Sequence, residues 1–295
     1  MSDILNVFSV DVEDYFQVSA FDNCVRREEW DDYPSRVVGN TQRILHLLEQ
    51  CQVRATFFVL GWVARRFPHL VKEIHRGGHE IASHGFWHRL VYDQTPDEFR
   101  EDVRTSRDTL QHITGTPVVA YRAPSFSIIK RSLWALEILV EEGFSIDSSI
   151  FPIHHDRYGT PGAESHIRQV DTAAGPLREV PPSVTKIARL NIPIGGGYFR
   201  LYPWPFTHSC LRRINQQTRQ PFMFYVHPWE LDPLQPRVQV GSRRSRMRHY
   251  LNLHKTEPRL QKLLSSFRLG TLTDSLQHLQ ASIAGQPAAE LSRAS

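Results

Sequence analysis

The stretch Leu5–Asp14, with the sequence LNVFSVDVED, places an apolar run directly before three carboxylates. The apolar run predicts a buried β-strand near the start of the chain. Because side chains alternate along a strand, we expect Asp11 and Glu13 to share one face and Asp14 to point away from it. Three crowded carboxylates repel one another unless a cation or an arginine lies among them. A helix cap or a solvated turn is the alternative interpretation of these residues.

Short apolar runs alternate with helical segments over the first two-thirds of the chain. The next predicted strands are Ala55–Leu60, Ile81–Ser83, Val118–Tyr121, Phe144–Asp147 and Met223–Val226. Helices are predicted near Thr41–Gln50, at Pro68–Gly77, at Pro96–Ile113 with Thr95 as the N-cap, and at Arg131–Glu142. This β-α-β-α order predicts an α/β fold with parallel strands and outer helices, either a barrel or a doubly wound sheet.

Nearly every predicted strand ends on a polar residue. The residues in these positions are Asp11, His84, Arg122, Asp147 and His227. In parallel α/β folds the carboxyl ends of the strands meet at one edge, and active sites are built there. We therefore expect these side chains to lie near one another.

Residues 157–204 interrupt this order with many glycines and prolines, including the triple glycine Gly195–Gly197. We expect a long ordered insertion here, lying over one end of the sheet. No clean linker follows, so one domain is predicted over residues 1–284. The small polar stretch 285–295 is predicted to be a disordered tail.

Composition excludes several classes of protein. A net charge of +4 over 295 residues is too mild to indicate nucleic-acid binding. The three cysteines have no CxxC spacing, so neither a disulfide framework nor a zinc–thiolate site is predicted. The N-terminus lacks the layout of a signal peptide, and no apolar run is long enough to cross a membrane. These features predict a cytoplasmic protein.

His84 and His88 are four residues apart in the sequence HGFWH. If this segment is one helical turn, both imidazoles project on the same side and can share a metal ion. The alternative interpretation is a pair of structural histidines that flank a packed Phe86–Trp87.

Five short motifs occur in the order that polysaccharide deacetylases show. They are Asp11-x-Glu13-Asp14, Ser83-His84-x-x-x-His88, Arg122-Ala-Pro124, Asp147-Ser148-Ser149 and Tyr225-Val-His227-Pro228. From residue 5 to about 230 the chain resembles this family, which is carbohydrate esterase family 4 with its NodB-homology domain. Two longer stretches, Asp11–Val18 and Phe224–Pro233, resemble a bacterial subgroup encoded in exopolysaccharide gene clusters, often beside exosortase systems.

The resemblance implies a distorted (β/α) barrel of about seven parallel strands with one divalent metal ion, usually zinc. It implies that His84 and His88 are metal ligands and that Asp11 is the catalytic base. The family usually has two adjacent aspartates in the first motif, and this chain departs from that pattern. Strand alternation favours Glu13 as the third ligand, and Asp14 is kept as the alternative.

The same chemistry needs an acid and an oxyanion donor. His227 fits as the general acid, Arg122 as the residue that keeps Asp11 ionised, and Asp147 as a carboxylate that keeps His227 protonated. The resemblance places the oxyanion donor at the backbone N–H of Ser125. As plain structural residues, Arg122 would form a salt bridge, Asp147 would cap a turn and His227 would pack in an aromatic corner.

Aromatic residues near the motifs indicate a groove for an N-acetylated glycan, with Trp87, Tyr198 and Trp229 as sugar-stacking candidates and core packing as the alternative. The basic run Arg243–Arg248 could contact an anionic glycan, a lipid-linked glycan or a membrane surface, although a solvated helix start is favoured. The sequence does not indicate an oligomeric state. The leading hypothesis is a metal-dependent deacetylase of N-acetylhexosamine units. The alternatives are a metal-independent C–N hydrolase of the allantoinase-like branch and an inactive glycan-binding module.

Overall fold

The computed structural model describes residues 4–22, 24–155, 158–188, 190–238 and 243–284, without the side chain of Arg244. The predicted tail at 285–295 lies outside the described residues. Within the described ranges, no helix combines the length and the apolar character that crossing a membrane requires.

Most of the strands are short, and the first is the longest. The strands are β1 (Asn6–Val12), β2 (Thr56–Val59), β3 (Glu80–Ser83), β4 (Ala120–Tyr121), β5 (Ile146–Asp147), β6 (Arg168–Thr172), β7 (Gly175–Glu179), β8 (Val184–Ile187), β9 (Leu190–Pro193), β10 (Met223–Val226) and β11 (Leu269–Gly270).

Helices follow most of the strands along the chain. They are α1 (Val37–Gln50), α2 (Gly61–Arg66), α3 (Pro68–Arg76), α4 (Pro96–Thr114), α5 (Ala135–Glu141), α6 (Gly197–Leu201), α7 (Trp204–Thr218), α8 (Arg243–Tyr250), α9 (Thr256–Ser266) and α10 (Leu272–Ala284). The predicted N-cap of α4 is confirmed, because Thr95 and Glu98 form a reciprocal capping box.

One sheet organises the described part of the chain, in the order β10-β1-β2-β3-β4-β5-β7-β6, with β11 also paired to β1. Neighbouring strands from β10 to β7 run parallel, and only β6 is antiparallel to its partner. The sheet curves round so that its two ends approach each other. The backbone N–H of Ser183, four residues after β7, donates to the carbonyl oxygen of Met223 in β10. The predicted α/β class with parallel strands and a distorted barrel is confirmed.

β1 lies between β10 and β2 and is buried along its whole length. Both faces of such a strand are covered, which explains its nearly continuous apolar sequence. The carboxyl end of β1 therefore lies between the carboxyl ends of β10 and β2. Asp11, His84, Arg122, Asp147 and His227 all lie at or directly after the carboxyl ends of parallel strands, as predicted.

The segment 157–204 is more than a loop over one end of the sheet. Its hairpin of β6 and β7 adds to the main sheet, with β7 paired in parallel to β5. A second hairpin, β8 and β9, forms a separate two-stranded sheet. The sequence missed these strands because their side chains are partly exposed and lack a clear apolar alternation.

Candidate active site

The end of β1 supplies two carboxylates to one place. Asp11 is the penultimate residue of the strand, and the chain turns just after it, with the N–H of Glu13 donating to the carbonyl oxygen of Asp11 at 3.1 Å. The side chains of Asp11 and Glu13 are both buried and both approach His227. The expected common side for these two residues is confirmed, although Glu13 lies one residue beyond the strand.

Asp14 points elsewhere and has a structural role. Its Oδ2 accepts hydrogen bonds from the hydroxyl of Ser35 at 2.6 Å and from the backbone N–H groups of Arg36 and Val37 at 2.9 and 3.1 Å. These are among the first N–H groups of α1, which have no partner within the helix. Asp14 therefore caps α1, and the alternative assignment of Asp14 as the metal ligand is wrong for this geometry.

The segment His84–His88 is an irregular loop and not the helical turn considered from the spacing. Gly85 has φ +72° and His88 has φ 51°, so the chain folds back in the left-handed region twice. Asp102 of α4 holds this loop by accepting the backbone N–H groups of Phe86 and Trp87 at 2.7 and 3.1 Å. The two imidazoles still face each other, with ring centroids 5.3 Å apart.

Glu13, His84 and His88 form a compact set of potential metal ligands. One ligand atom from each lies within 4.8 Å of the others, and all three residues are buried. The closest pair is Glu13 Oε2 and His88 Nε2, at 2.6 Å. Two imidazoles and one carboxylate are a donor set that suits zinc and leaves coordination positions open. The residues therefore fit a catalytic divalent ion.

The protonation states of His84 and Glu13 are those of metal ligands. His84 Nδ1 lies 2.8 Å from the carbonyl oxygen of Arg122, which fixes the proton on Nδ1 and leaves Nε2 for an ion. Burial lowers the pKa of His84 to about 4, against the charge of Asp11, so the ring is neutral at pH 7. Burial raises the pKa of Glu13, but His88, His227 and His84 outweigh it and hold that pKa well below its usual range. His84 is thus neutral and Glu13 is a carboxylate, which are the forms that bind a metal ion.

Arg122 anchors Asp11 beside this set. Its Nη1 donates to Asp11 Oδ1 and, at 2.9 Å, to the hydroxyl of Ser9. Its Nη2 donates to the hydroxyl of Ser148 at 3.1 Å, and the guanidinium lies 4.0 Å from the centre of the Phe58 ring. The ion pair is completely buried, so the side chain of Asp11 is held in a fixed orientation.

His227 has a buried carboxylate partner, and it is Glu230 and not Asp147. His227 Nδ1 lies 2.6 Å from Glu230 Oε1, and Arg200 Nε donates to Glu230 Oε2 at 2.6 Å. Burial lowers the pKa of His227, but the hydrogen bond to Glu230 and the charges of Glu13, Glu230 and Asp11 raise it to about 9. The ring is therefore protonated at neutral pH, with Nε2 directed at the carboxylates of Asp11 and Glu13, 3.8 Å from each.

The predicted role of Asp147 as the partner of His227 is wrong, because Asp147 faces another group. It accepts the hydroxyl of Ser149 at 2.5 Å and lies against the carboxyl of Glu179. The hydroxyl of Ser149 also accepts the backbone N–H of Ala123 at 2.8 Å. Asp147 therefore supports the loop that follows Arg122 through the hydroxyl of Ser149.

Ser125 lies in this loop in the left-handed region, with φ 50° and ψ 29°. Its hydroxyl donates to the hydroxyl of Ser19 at 2.8 Å, which ties the loop to the segment after β1. Such backbone strain in a non-glycine residue is common at active sites. The backbone N–H of Ser125 as an oxyanion donor stays a prediction.

The three aromatic candidates have different environments. Trp87 is 38% exposed beside His88, and Tyr198 is half-buried, with its ring stacked against Tyr202. Trp229 is buried, and its Nε1 donates to Glu13 Oε1 at 3.0 Å. The prediction that Trp229 is a sugar-stacking surface is therefore wrong, because its ring is covered and its N–H is bonded to Glu13. Trp87 and Tyr198 stay predictions.

Sequence reasoning missed Glu230, Arg200 and Asp102. Glu230 had a local signal, because it follows His227 by three residues in a short helical turn at Pro228–Leu231, where such residues become neighbours. Arg200 and Asp102 had none, since their partners are brought near only by the folded sheet.

Two family models match this chain. Residues 29–139 match polysaccharide deacetylase, and residues 148–277 match a domain of unknown function, DUF3473. The candidate site draws on both matched regions, with His84 and His88 in the first and His227 and Glu230 in the second. Asp11 and Glu13 precede both.

Among curated proteins, YheN of Bacillus subtilis, provisionally named a polysaccharide deacetylase, is 38% identical over 140 residues, which are 44% of this chain and 48% of YheN. A peptidoglycan-N-acetylglucosamine deacetylase of Bacillus cereus is 36% identical over 109 residues, which are 37% of this chain and 39% of that protein. The chain thus spans about half or less of these relatives.

A crystal structure from Mycobacterium smegmatis, provisionally named a polysaccharide deacetylase, superimposes with a TM-score of 0.59 at 18% identity. The superposition covers 96% of this chain and 93% of that one. At this identity the likeness concerns the fold alone.

Proposed function

The chain belongs to the polysaccharide deacetylase family, and we propose that it is a metal-dependent hydrolase that removes N-acetyl groups from N-acetylhexosamine units of a polysaccharide or its precursor. One observation carries the proposal. A buried Glu13–His84–His88 set lies at one sheet edge between a fixed carboxylate, Asp11, and a protonated histidine, His227.

Glu13, His84 and His88 are the side chains that would hold the ion. A divalent ion bound there supplies Lewis-acid polarisation of the acetyl carbonyl and lowers the pKa of a water molecule. The neutral ring of His84 and the ionised Glu13 are the forms that such an ion needs. Zinc is the ion proposed here, because this donor set occurs in catalytic zinc sites.

Asp11 acts as the general base. Arg122 Nη1 donates to its Oδ1 and also to the hydroxyl of Ser9, so the guanidinium holds one oxygen of the carboxylate while Oδ2 lies 3.8 Å from His227 Nε2. A base held in this way takes the proton from the attacking water without having to reorient. Amide hydrolysis then leaves an amine that needs a proton.

His227 supplies that proton. Its Nε2 faces the site while Nδ1 is paired with Glu230, so a proton lost from Nε2 leaves a ring that is still correctly oriented. The negative Glu230 and the Arg200 behind it keep the acid and the base in different charge states at one pH. The backbone N–H of Ser125 is proposed to stabilise the oxyanion.

Two features of the site argue against the two alternative functions. A metal-independent C–N hydrolase does not need two imidazoles and a carboxylate buried together within 4.8 Å. An inactive glycan-binding module does not need a buried Arg122–Asp11 pair opposite a histidine held protonated by Glu230. Both of these arrangements cost desolvation energy that binding alone does not require.

The substrate class rests on the relatives. The Bacillus cereus relative is named for N-acetylglucosamine in peptidoglycan, and the proposal carries the N-acetylhexosamine unit over to this chain. Trp87 is exposed beside His88, where a sugar ring could stack on it. Membership of the exopolysaccharide-locus subgroup, a lipid-linked substrate and contact of Arg243–Arg248 with a membrane stay predictions.

The test is acetate release from N-acetylglucosamine oligomers by the purified protein, before and after treatment with a chelator. We expect turnover that the chelator abolishes and that added zinc restores. D11N is expected to lower kcat by about 10²- to 10⁴-fold while metal binding is retained, because the substitution removes only the base. Chelator-resistant turnover would favour the metal-independent hydrolase, and bound metal without turnover would favour the binding module.

A further inference from the structure

The two oxygens of the Glu13 carboxylate have different neighbours. Oε2 lies 2.6 Å from His88 Nε2, within the candidate metal set, while Oε1 accepts a hydrogen bond from Trp229 Nε1 at 3.0 Å. A donor fixed on one oxygen limits rotation of the carboxylate and keeps the other oxygen beside His88. The indole therefore sets the orientation of this side chain.

Such a restraint matters more for Glu13 than for a shorter ligand. A glutamate has one more rotatable bond than an aspartate, so it loses more side-chain entropy when it is fixed by an ion. A hydrogen bond that already holds the side chain reduces this cost before the ion binds. Donors to ligand carboxylates are known to change metal affinity by roughly 10- to 100-fold.

Trp229 is itself held from several sides. Its ring stacks on His249 of α8 with a centroid distance of 4.2 Å and an angle of 16°, and on His227 at 5.1 Å and 20°. The guanidinium of Arg200 lies 5.2 Å from the indole ring. The indole is 6% exposed, so its position is set by packing and not by solvent.

Gln235 joins His249 to the backbone of Trp229. His249 Nε2 lies 2.8 Å from Gln235 Oε1, and Gln235 Nε2 donates to the carbonyl oxygens of Trp229 at 2.9 Å and of Asp232 at 3.0 Å. Burial lowers the pKa of His249 to about 3, so the ring is neutral and Nε2 carries the proton that Gln235 accepts. The hydrogen bond to Gln235 thus fixes the position of His249, on which the indole of Trp229 stacks.

We propose that Trp229, held by His249 and Gln235, is a positioning residue that holds the Glu13 carboxylate in the orientation in which it would bind a metal ion together with His84 and His88. The inference rests on the proposed function, because it assumes that Glu13, His84 and His88 bind the ion. It assigns a metal-tuning role to α8, whose sequence indicates only a basic surface helix.

The test measures the Kd of Zn²⁺ by competition with a chromophoric chelator in the full-length protein. We expect W229F to raise the Kd by about 10- to 100-fold, because it keeps an aromatic ring and removes the N–H. W134F is the matched control, since Trp134 packs on Phe99 in another part of the molecule. A Kd for W229F within about twofold of the wild-type value overturns the proposal.

A double-mutant cycle separates a positioning role from a general structural one. In the E13A background, the added W229F substitution is expected to leave the residual Zn²⁺ affinity unchanged, since Trp229 then has no carboxylate to orient. An equal loss in both backgrounds overturns the proposal. If E13A itself leaves the Kd unchanged, the proposed metal site fails, which is a different result from a silent W229F.

H249F provides the second variant if W229F does not fold. Phenylalanine keeps a ring on the indole and removes the link to Gln235, so we expect a smaller rise in the Kd of Zn²⁺. The melting temperature of the metal-free protein is measured for every variant. A folded H249F protein with unchanged Kd contradicts the part of the proposal that involves α8.

Discussion

At the residue scale, the function of each buried carboxylate depends on the groups to which its oxygens are already hydrogen-bonded. Glu13, Asp14 and Glu230 are all buried acids, yet they have three different functions in the folded chain. Asp14 accepts hydrogen bonds from the N–H groups at the start of α1. Glu230 is hydrogen-bonded to both His227 and Arg200. Only Glu13 faces the two histidines.

The pairing of Glu230 with His227 predicts a pH effect. Glu230 helps to raise the pKa of His227, so E230Q lowers that pKa. The acid must be protonated, and the falling alkaline limb of kcat/KM therefore moves to lower pH in E230Q. Arg200 keeps its bonds to the carbonyl oxygens of His249 and Leu251, which supports folding of the variant.

The pH profile of kcat/KM on N-acetylglucosamine oligomers checks this prediction. E141Q is the control, because Glu141 is an exposed acid on α5 that pairs with Arg100. An alkaline limb that stays in the same place in E230Q contradicts the assignment of His227 as the acid.

At the element scale, the loop between β3 and α4 decides whether the two histidines meet. Gly85 has φ +72°, and a Cβ at this position would lie 2.8 Å from Asp102 Oδ2, the atom that holds the loop. G85A is therefore expected to disturb the bonds from Asp102 and to weaken metal binding by more than tenfold, by the same reasoning as for other groups that orient ligands.

Gly115 gives a matched control for Gly85. It has φ +71° at the end of α4, but a Cβ there would meet nothing within 4 Å. G115A is expected to cost about 1 kcal/mol of stability and to leave the Kd of Zn²⁺ unchanged. Equal effects of G85A and G115A on metal binding would show that the contact with Asp102 is unimportant.

The elements themselves show how far sequence reasoning extends. Met223–Val226 is predicted with its observed bounds, and α4 is predicted to within one residue, since both have strong apolar patterns and clear ends. β6 and β7 are not predicted, because their strands are partly exposed. The loop at His84–His88 is not the helical turn that the spacing allows, since histidine spacing alone cannot distinguish a helix from a bend.

At the scale of the whole molecule, Asp147 and Glu179 join β5 to β7, the strand that the segment 157–204 adds to the main sheet. Both acids are completely buried, and their side chains lie within hydrogen-bonding reach of each other. Glu179 Oε1 accepts the backbone N–H of Ile150 at 3.1 Å. Burial and the charge of Asp147 raise the pKa of Glu179 well above its usual value, so the pair holds one proton.

This shared proton predicts a pH-dependent stability. The folded pKa of Glu179 is above the unfolded value of 4.5, so its contribution is fully present below pH 4.5 and is lost as the pH rises through the folded pKa. E179Q mimics the protonated acid. We expect it to be more stable than the wild type at pH 8, and not at pH 4.

Denaturant unfolding of the metal-free protein at pH 4 and pH 8 checks the prediction. E141Q again serves as the control, since its effect on the free energy of unfolding is expected to be small at both values. A difference between E179Q and the wild type that is the same at both pH values contradicts a shared proton.

The most direct measurement of the central claim is the metal content of the purified wild-type protein and of E13A and D14A, taken by elemental analysis after exhaustive dialysis. We predict one divalent ion per chain in the wild type and in D14A, and none in E13A. D14A is expected to lose only about 0.5 to 2 kcal/mol of stability, because Asp14 caps α1. Retention of the ion by E13A, or its loss from D14A alone, would contradict the assignment of Glu13 with His84 and His88 as the metal site.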